Sequence, residues 1–351
     1  MVMSTSPASV SSPPSEVSSP PSVVSSPVKE RTDFGWGEVV ARIDLEPEYW
    51  GALTGLESFS HAIVVTYLHQ ARFDPARHLK RRPRGRRDLP ELGILAQRAK
   101  NRPNPIGGSQ VEGNILRPQW ASFVGPYPLP MRHGFTLGEL ARHYNATQKL
   151  GCDLEVVPAR GWSRGDYFEA TGLPWVLPSP NLPTLESAVV YPGQVLLEGT
   201  NLSEGRGTTR PFELFGAPFL EPARINSKMA KIPLPGVILR EAFFEPTFHK
   251  WAGELCRGFQ LHVTDRRSFK PYFTTLALLG AIRELYPDHF AWRQPPYEYE
   301  TERLPIDLLT GDAAIREGLD KGTRVQELEA GWQKELGEFL DGWWDFLIYE
   351  E

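Results

Sequence analysis

The sequence predicts an α/β chain preceded by a β-rich segment and a disordered tail. Three observations predict it. Residues 1–28 contain 11 Ser and 6 Pro, with Val-Ser-Ser-Pro-Pro-Ser starting at Val10 and again at Val17; such a segment has almost nothing to bury and cannot offset its ordering entropy. From Phe34 the pattern turns to alternating and β-branched runs. From Thr136 helix and strand signals interleave.

In the β-rich block, Gly37–Asp44 alternates like a strand, and His61–His69 is an apolar, β-branched run that reads as a buried strand. Seven basic residues crowd Arg77 to Arg87, and Pro83 and Gly85 make that stretch a loop. Gly93–Gly107 reads as a short strand running into a Pro-rich turn. Thr136 and Glu139 form a capping-box pattern that starts a helix. Asp153–Pro158 is a short strand, Pro174–Pro183 a rigid loop, and Gln194–Glu198 a strand after Pro192-Gly193. Phe259–Thr264 is a strand and Pro271–Leu285 a helix. Residues 312–349 are helical and end in Trp343-Trp344-Asp-Phe-Leu-Ile-Tyr349, an aromatic face suited to docking.

The totals exclude several classes. Net charge is −5, so nothing overall favours nucleic acid, and loop 77–87 is its only hint. No apolar run approaches the ~20 residues that cross a bilayer. Cys152 and Cys256 make neither a disulfide framework nor a metal motif; they could form one bridge or stay as two buried thiols. No cofactor or metal motif is read. No basic n-region or apolar h-region opens the chain, so a cytoplasmic location is the default expectation.

The densest polar cluster is Glu198-Gly-Thr-Asn-Leu-Ser-Glu-Gly-Arg-Gly-Thr-Thr-Arg210. Its glycines let backbone approach a ligand. Glu198 and Glu204 are the candidate catalytic carboxylates, because glycoside hydrolysis uses two. Asn201 could hydrogen-bond a sugar, and Arg206 or Arg210 could pair a substrate carboxylate bidentately. The alternative is a Gly-rich loop whose charges pair with each other. The ending is not the Gly-Lys-Ser/Thr of a phosphate loop. Lesser candidates are Arg132 and His133 in Met131-Arg-His-Gly134, Asn181 in Pro178-Ser-Pro-Asn181, and Trp162, which could stack on a sugar but fits a core role better.

These words occur together in one family. Arg102-Pro-Asn-Pro-Ile-Gly-Gly108, Val111-Glu-Gly113, Arg132-His-Gly134, Gly172-Leu-Pro-Trp175, Pro178-Ser-Pro-Asn181, Glu198–Phe212, Thr247-Phe-His-Lys250, His262-Val-Thr-Asp265, Tyr297-Glu-Tyr-Glu300 and Leu304-Pro-Ile-Asp307 resemble the peptidoglycan exo-β-N-acetylmuramidases. The resemblance implies a glycoside hydrolase acting on terminal N-acetylmuramic acid of peptidoglycan fragments. Its site would lie in a cleft between a Rossmann-like and a smaller C-terminal domain, its partner would be a muramic-acid-containing sugar, and a secreted or periplasmic location becomes open. That family has a further stretch before the Arg-Pro-Asn-Pro word with no counterpart here, so weak or no turnover is expected.

Leu45-Glu-Pro-Glu-Tyr49, Gly55-Leu-Glu57, Phe59-Ser-His61, Arg82-Pro-Arg-Gly85 and again Arg102–Gly107 resemble a different family, the TsaA-like tRNA methyltransferases that use S-adenosylmethionine. Its later Asp-Gly-Thr-Pro and Asp-Ile-Lys-Pro-Tyr words are missing. The chain therefore reads as a join at the shared word Arg102–Gly107. The expected organisation is a Ser/Pro tail over 1–32, a truncated β-barrel-like segment over 33–107, a partial Rossmann-like domain over 108–235 and a smaller α+β C-terminal domain over 236–351.

Overall fold

A computed structural model of the chain describes residues 98–350. The Ser/Pro tail, the strands at 37–44 and 61–69 and the basic loop 77–87 lie outside the described residues. What is described is mixed α/β. Strand β1 (Arg98–Lys100) pairs in parallel with β4 (Glu155–Val157), joined through helix α1 (Leu137–Thr147). Between them β2 (Glu112–Ile115) and β3 (Pro130–Arg132) form a small antiparallel pair. Helix α2 (Leu185–Gln194) follows, then β5 (Leu214–Ala217) and helix α3 (Pro222–Met229). Strands β6 (Val237–Phe244) and β7 (Cys256–Val263) join β5 in an antiparallel sheet of order β5-β7-β6. Helices α4 (Pro271–Leu285), α5 (Pro305–Thr310), α6 (Ala313–Asp320) and α7 (Val325–Trp343) complete the chain.

The helix starts follow from local chemistry. Thr136 accepts from the Glu139 backbone N–H while the Glu139 carboxylate accepts from the Thr136 N–H, the reciprocal pair that the sequence predicts. Thr184 caps α2 by accepting from the Ser187 N–H. Four-residue β5 meets central β7 at Gly216 opposite Gly258, where a Cβ on Gly258 would lie 2.0 Å from the Phe215 carbonyl oxygen.

One expectation is corrected. Gln194–Glu198 is not a strand: α2 runs through Pro192 to Gln194, and the chain tightens into a single 3-10 turn, Val195–Gly199. The run is buried on every side, and total burial erases the difference between a period of 2 and one of 3.6. The signal that distinguishes them is the Thr184 cap. Helix α2 packs on α4 so closely at Gly193 that a Cβ there would sit 1.9 Å from the Pro271 carbonyl oxygen.

The main core gathers α2, α4, β5 and β7, with Leu196, Phe215, Phe259, Leu276, Leu279 and Ile282 fully buried. A second cluster joins Phe135, Leu140 and Tyr144 to Trp343 of α7, the aromatic docking read from the terminal words. Trp162 is core, 7% exposed and edge-on to Tyr349. Both cysteines are free thiols; Cys256 is buried and Cys152 half-buried. Among the described residues no helix is long and apolar enough to cross a membrane, and no group of three His, Cys, Asp or Glu could hold a metal ion.

Helix α4 begins with Pro271 and has no side-chain cap of its own. Glu112 of β2 supplies one from a distance, its two oxygens accepting the Tyr272 N–H at 3.2 Å and the Phe273 N–H at 2.8 Å. Burial nevertheless pushes this carboxyl up to about 7, against those two hydrogen bonds and the charges of Arg132 and Lys270. Because the folded value lies above the ordinary 4.5, the folded state takes up the proton more readily. That contribution is fully present below about pH 4.5 and is lost as pH rises through about 7. Glu112→Gln is expected to remove roughly 3 kcal/mol of pH dependence between those limits. Denaturant titrations of both proteins at pH 5 and pH 8 check this; parallel pH profiles would disprove it.

Candidate functional site

The 198–210 segment is held by three anchors. The Lys250 ammonium donates to the carbonyls of Leu197 at 2.7 Å and Leu202 at 2.9 Å, fastening both sides of the turn. Asn201 clamps the 289–291 loop: its amide donates to the His289 carbonyl at 2.8 Å and its oxygen accepts from the Ala291 N–H at 3.0 Å. Gly207, at φ +82°, lets its carbonyl take both the backbone and hydroxyl protons of Thr247. A Cβ on Gly207 would meet the Phe248 backbone N at 2.7 Å, so only glycine lets the 247–250 turn approach.

That close approach builds a buried ionic knot. Glu204 is fully buried. Its Oε1 contacts Arg206 Nε at 2.9 Å and His249 Nδ1 at 3.1 Å, and its Oε2 contacts Lys250 Nζ at 2.9 Å. Burial would raise this carboxyl, but the His249 hydrogen bond, Lys250 and Arg206 outweigh it and hold it at about 2. Burial also lowers Lys250, with Glu204 opposing. Arg206 spans the two carboxylates, since its Nη2 reaches Glu198 Oε1 at 2.5 Å, and it lies over the Phe212 ring.

Above the knot opens a cavity of ≈ 380 Å³ lined by Glu198, Arg206, His249, Arg293, Pro296, Tyr297 and Glu298. Glu198 receives the Tyr297 hydroxyl on Oε2 at 2.7 Å. Burial and the Glu198 charge hold the Tyr297 phenol well above its ordinary value, so it stays a donor. Tyr297 and Glu300 exchange backbone hydrogen bonds of 2.8 Å across Glu298 and Tyr299, which both sit at positive φ, 43° and 69°. This tight turn is braced by Glu300, whose carboxylate accepts the Thr301 and Glu302 N–H groups and pairs with Arg303. It presents Glu298 to the cavity. Burial pushes the Glu298 carboxyl up, and the Glu198 charge acts the same way, against Arg206 and Arg293. Among the described residues Glu298 makes no ion pair, so the cavity holds one carboxyl clamped by donors and one whose pKa burial raises.

Of the residues singled out in the sequence, Glu198, Glu204 and Arg206 come together here. Asn201 lies beside them with its side chain spent on the 289–291 loop, and Arg210 turns away, half-exposed, to Glu213 at 3.4 Å. Arg132, His133 and Asn181 are not among the cavity-lining residues. Arg132 is buried and donates to the Ile106 carbonyl at 2.9 Å and the Tyr167 hydroxyl at 3.2 Å. His133 Nδ1 accepts the Phe135 N–H at 3.0 Å, and the Asn181 N–H donates to the Ser179 hydroxyl at 3.2 Å. Sequence reasoning missed His249, Lys250, Arg293, Tyr297 and Glu298. Only the family words Thr247–Lys250 and Tyr297–Glu300 pointed near them.

The fold and site define a mixed α/β protein with a two-carboxyl polar cavity. Residues 100–186 match the family exo-beta-N-acetylmuramidase NamZ, N-terminal, and residues 189–349 match exo-beta-N-acetylmuramidase NamZ, C-terminal. The chain is 45% identical over 249 residues to the peptidoglycan beta-N-acetylmuramidase NamZ of Bacillus subtilis, covering 71% of this chain and 58% of that protein. It thus spans under two thirds of that relative. A crystal structure of a DUF1343 family protein from Bacteroides fragilis superposes with a TM-score of 0.64 at 31% identity, over 71% of this chain and 65% of that one. Residues 27–119 match the tRNA-methyltransferase O N-terminal domain. There the chain is 42% identical over 81 residues to a probable S-adenosyl-L-methionine-binding protein of Methanothermobacter thermautotrophicus, covering 22% of this chain and 56% of that protein. Residues 100–349 therefore resemble the exo-β-N-acetylmuramidases and residues 27–119 the tRNA methyltransferases, and the two matches overlap at 100–119, around the shared word Arg102–Gly107.

Proposed function

We propose that the Glu198 cavity is a muramyl-sugar site and that its chemistry is hydrolysis of terminal N-acetylmuramic acid from peptidoglycan fragments. The observation that carries this reading is the pairing of Glu198, fixed by Arg206 and Tyr297, with Glu298 on the same cavity. Glu198 is the carboxylate that serves the anomeric carbon or its attacking water. Glu204 lies beneath it, held ionised by the His249 hydrogen bond and the charges of Lys250 and Arg206, and acts by fixing Arg206. Glu298 is the carboxyl suited to protonate the leaving oxygen. The similarity to the Bacillus subtilis enzyme supports the substrate class. The parallel pair of β1 and β4 around α1 supports a partial Rossmann-like arrangement for the first part of the described chain.

The test is a chromogenic N-acetylmuramide. Slow release of the chromophore is expected, and Glu198→Gln is expected to lower it by about 100-fold or more. Equal turnover of the corresponding N-acetylglucosaminide, or a Glu198→Gln protein as fast as the parent, would defeat the reading. The match of residues 27–119 favours a second reading for that segment, S-adenosylmethionine-dependent tRNA methyl transfer. Calorimetric titration with S-adenosylmethionine addresses it, micromolar affinity being the result in its favour.

A further inference from the structure

Most charged groups on the Glu198 cavity already have a partner. Arg206 is held between Glu198 and Glu204, and His249 contacts Glu204. Arg293 is different. Among the described residues its guanidinium makes no ion pair and no hydrogen bond; it lies 5.4 Å over the Tyr297 ring, the same ring whose hydroxyl holds Glu198. Its backbone is fixed to the floor of the site, because its N–H donates to the Gly199 carbonyl at 2.9 Å and the neighbouring Trp292 bridges Thr200. A guanidinium backed by an aromatic face is preorganised, and its open fork matches a carboxylate with two parallel hydrogen bonds. The site thus holds a fixed cation with an unused fork, its backbone bonded to Gly199, the residue that follows Glu198.

Resting on the muramyl-sugar reading, we propose that Arg293 is the specificity residue that binds the lactyl carboxylate of the muramic acid unit. N-acetylmuramic acid differs from N-acetylglucosamine by that lactyl ether alone. A site that must choose between them needs a cation which the protein's own carboxylates have not neutralised. Arg206 and Arg210, the candidates drawn from the sequence, do not meet this condition, because Glu198 and Glu204 neutralise the first and Glu213 pairs with the second.

The experiment titrates the full chain, by calorimetry or ligand-observed NMR, with N-acetylmuramic acid, its neutral lactamide and N-acetylglucosamine. The unaltered protein is expected to bind N-acetylmuramic acid roughly ten- to a hundredfold more tightly than the other two, the range for a hydrogen-bonded charge pair. Arg293→Gln is expected to bring all three to one affinity, and Arg293→Lys to keep part of the preference. If the unaltered protein prefers N-acetylmuramic acid and Arg293→Gln keeps that preference, the assignment of Arg293 falls and the muramyl-sugar reading stands. The lactamide tests the same point without a variant, since equal affinity for acid and amide also overturns the carboxylate contact. If the unaltered protein binds N-acetylmuramic acid no better than N-acetylglucosamine, both fall together.

Discussion

Glu204→Gln is expected to destabilise the protein by about 3–5 kcal/mol at neutral pH, the usual cost of removing one partner from a buried ion pair. Arg206 and Lys250 converge with the His249 imidazole on this carboxylate, and among the described residues Lys250, with its side chain 15% exposed, has no other carboxylate in contact. Without Glu204 the Lys250 ammonium must lose its proton or stay buried with only the Leu197 and Leu202 carbonyls, and the 198–210 segment loses its fastening. The pH profile gives an independent check. The folded value of about 2 lies below the ordinary 4.5, so the contribution of Glu204 is fully present above about pH 4.5 and is lost as pH falls toward 2. The variant is therefore expected to show a flatter acid limb than the parent. Denaturant unfolding from pH 3 to pH 7 measures both effects. A loss under 1 kcal/mol at pH 7, with an unchanged acid limb, would show that the knot is not structural.

The second large effect lies elsewhere, at the fully buried pair Arg164–Glu139. Arg164 Nη2 reaches both Glu139 oxygens at 2.7 Å, and Nη1 reaches the Gly134 carbonyl at 3.2 Å. Glu139 also accepts the Thr136 N–H that begins α1 and the Ile348 N–H of the chain end, each at 2.8 Å. Arg164→Met is expected to cost about 3–5 kcal/mol, because Glu139 is left charged and buried without a counter-ion. Adding Glu139→Gln to it removes the stranded charge while keeping a side-chain oxygen for the cap. The double variant is expected to recover most of the loss, a coupling of the size found for residues in direct contact. A denaturation cycle over the four proteins measures it. Strictly additive losses would mean that Arg164 acts through packing on Trp343, 4.8 Å from its guanidinium, and not through charge.

Glu139 illustrates what was legible in the sequence. Its role as the third residue of a capping box follows from Thr136 three positions earlier, since the geometry lies within one helical turn. Its other partners stand 25 and 209 positions away in the chain, and no local rule reaches them. Helix α4 was legible for a similar reason, because Pro271 suits a first turn and a long apolar run follows. Its cap, Glu112, comes from more than 150 residues upstream and was not. Gln194–Glu198 reads as a strand in the sequence yet folds as a helix end and a 3-10 turn, because a wholly buried run carries no periodicity to separate strand from helix.

The candidate site divides in the same way. The segment from Glu198 to Arg210 stood out by composition, dense in carboxylates, guanidiniums and glycine. The words it shares with the exo-β-N-acetylmuramidases could be read from residue identity alone. Composition could not rank its members. Glu198 lines the cavity while Glu204, six residues on, is sealed beneath it; Arg206 is neutralised while Arg210 points away to Glu213. The tertiary structure made those distinctions by bringing the turns at 247–250 and 293–298 against the segment. Burial and counter-charge set what a carboxyl or guanidinium can do, and both depend on neighbours that are distant in the chain. The sequence by itself therefore determined which residues were available for chemistry, and the fold decided which of them remain free to meet a ligand.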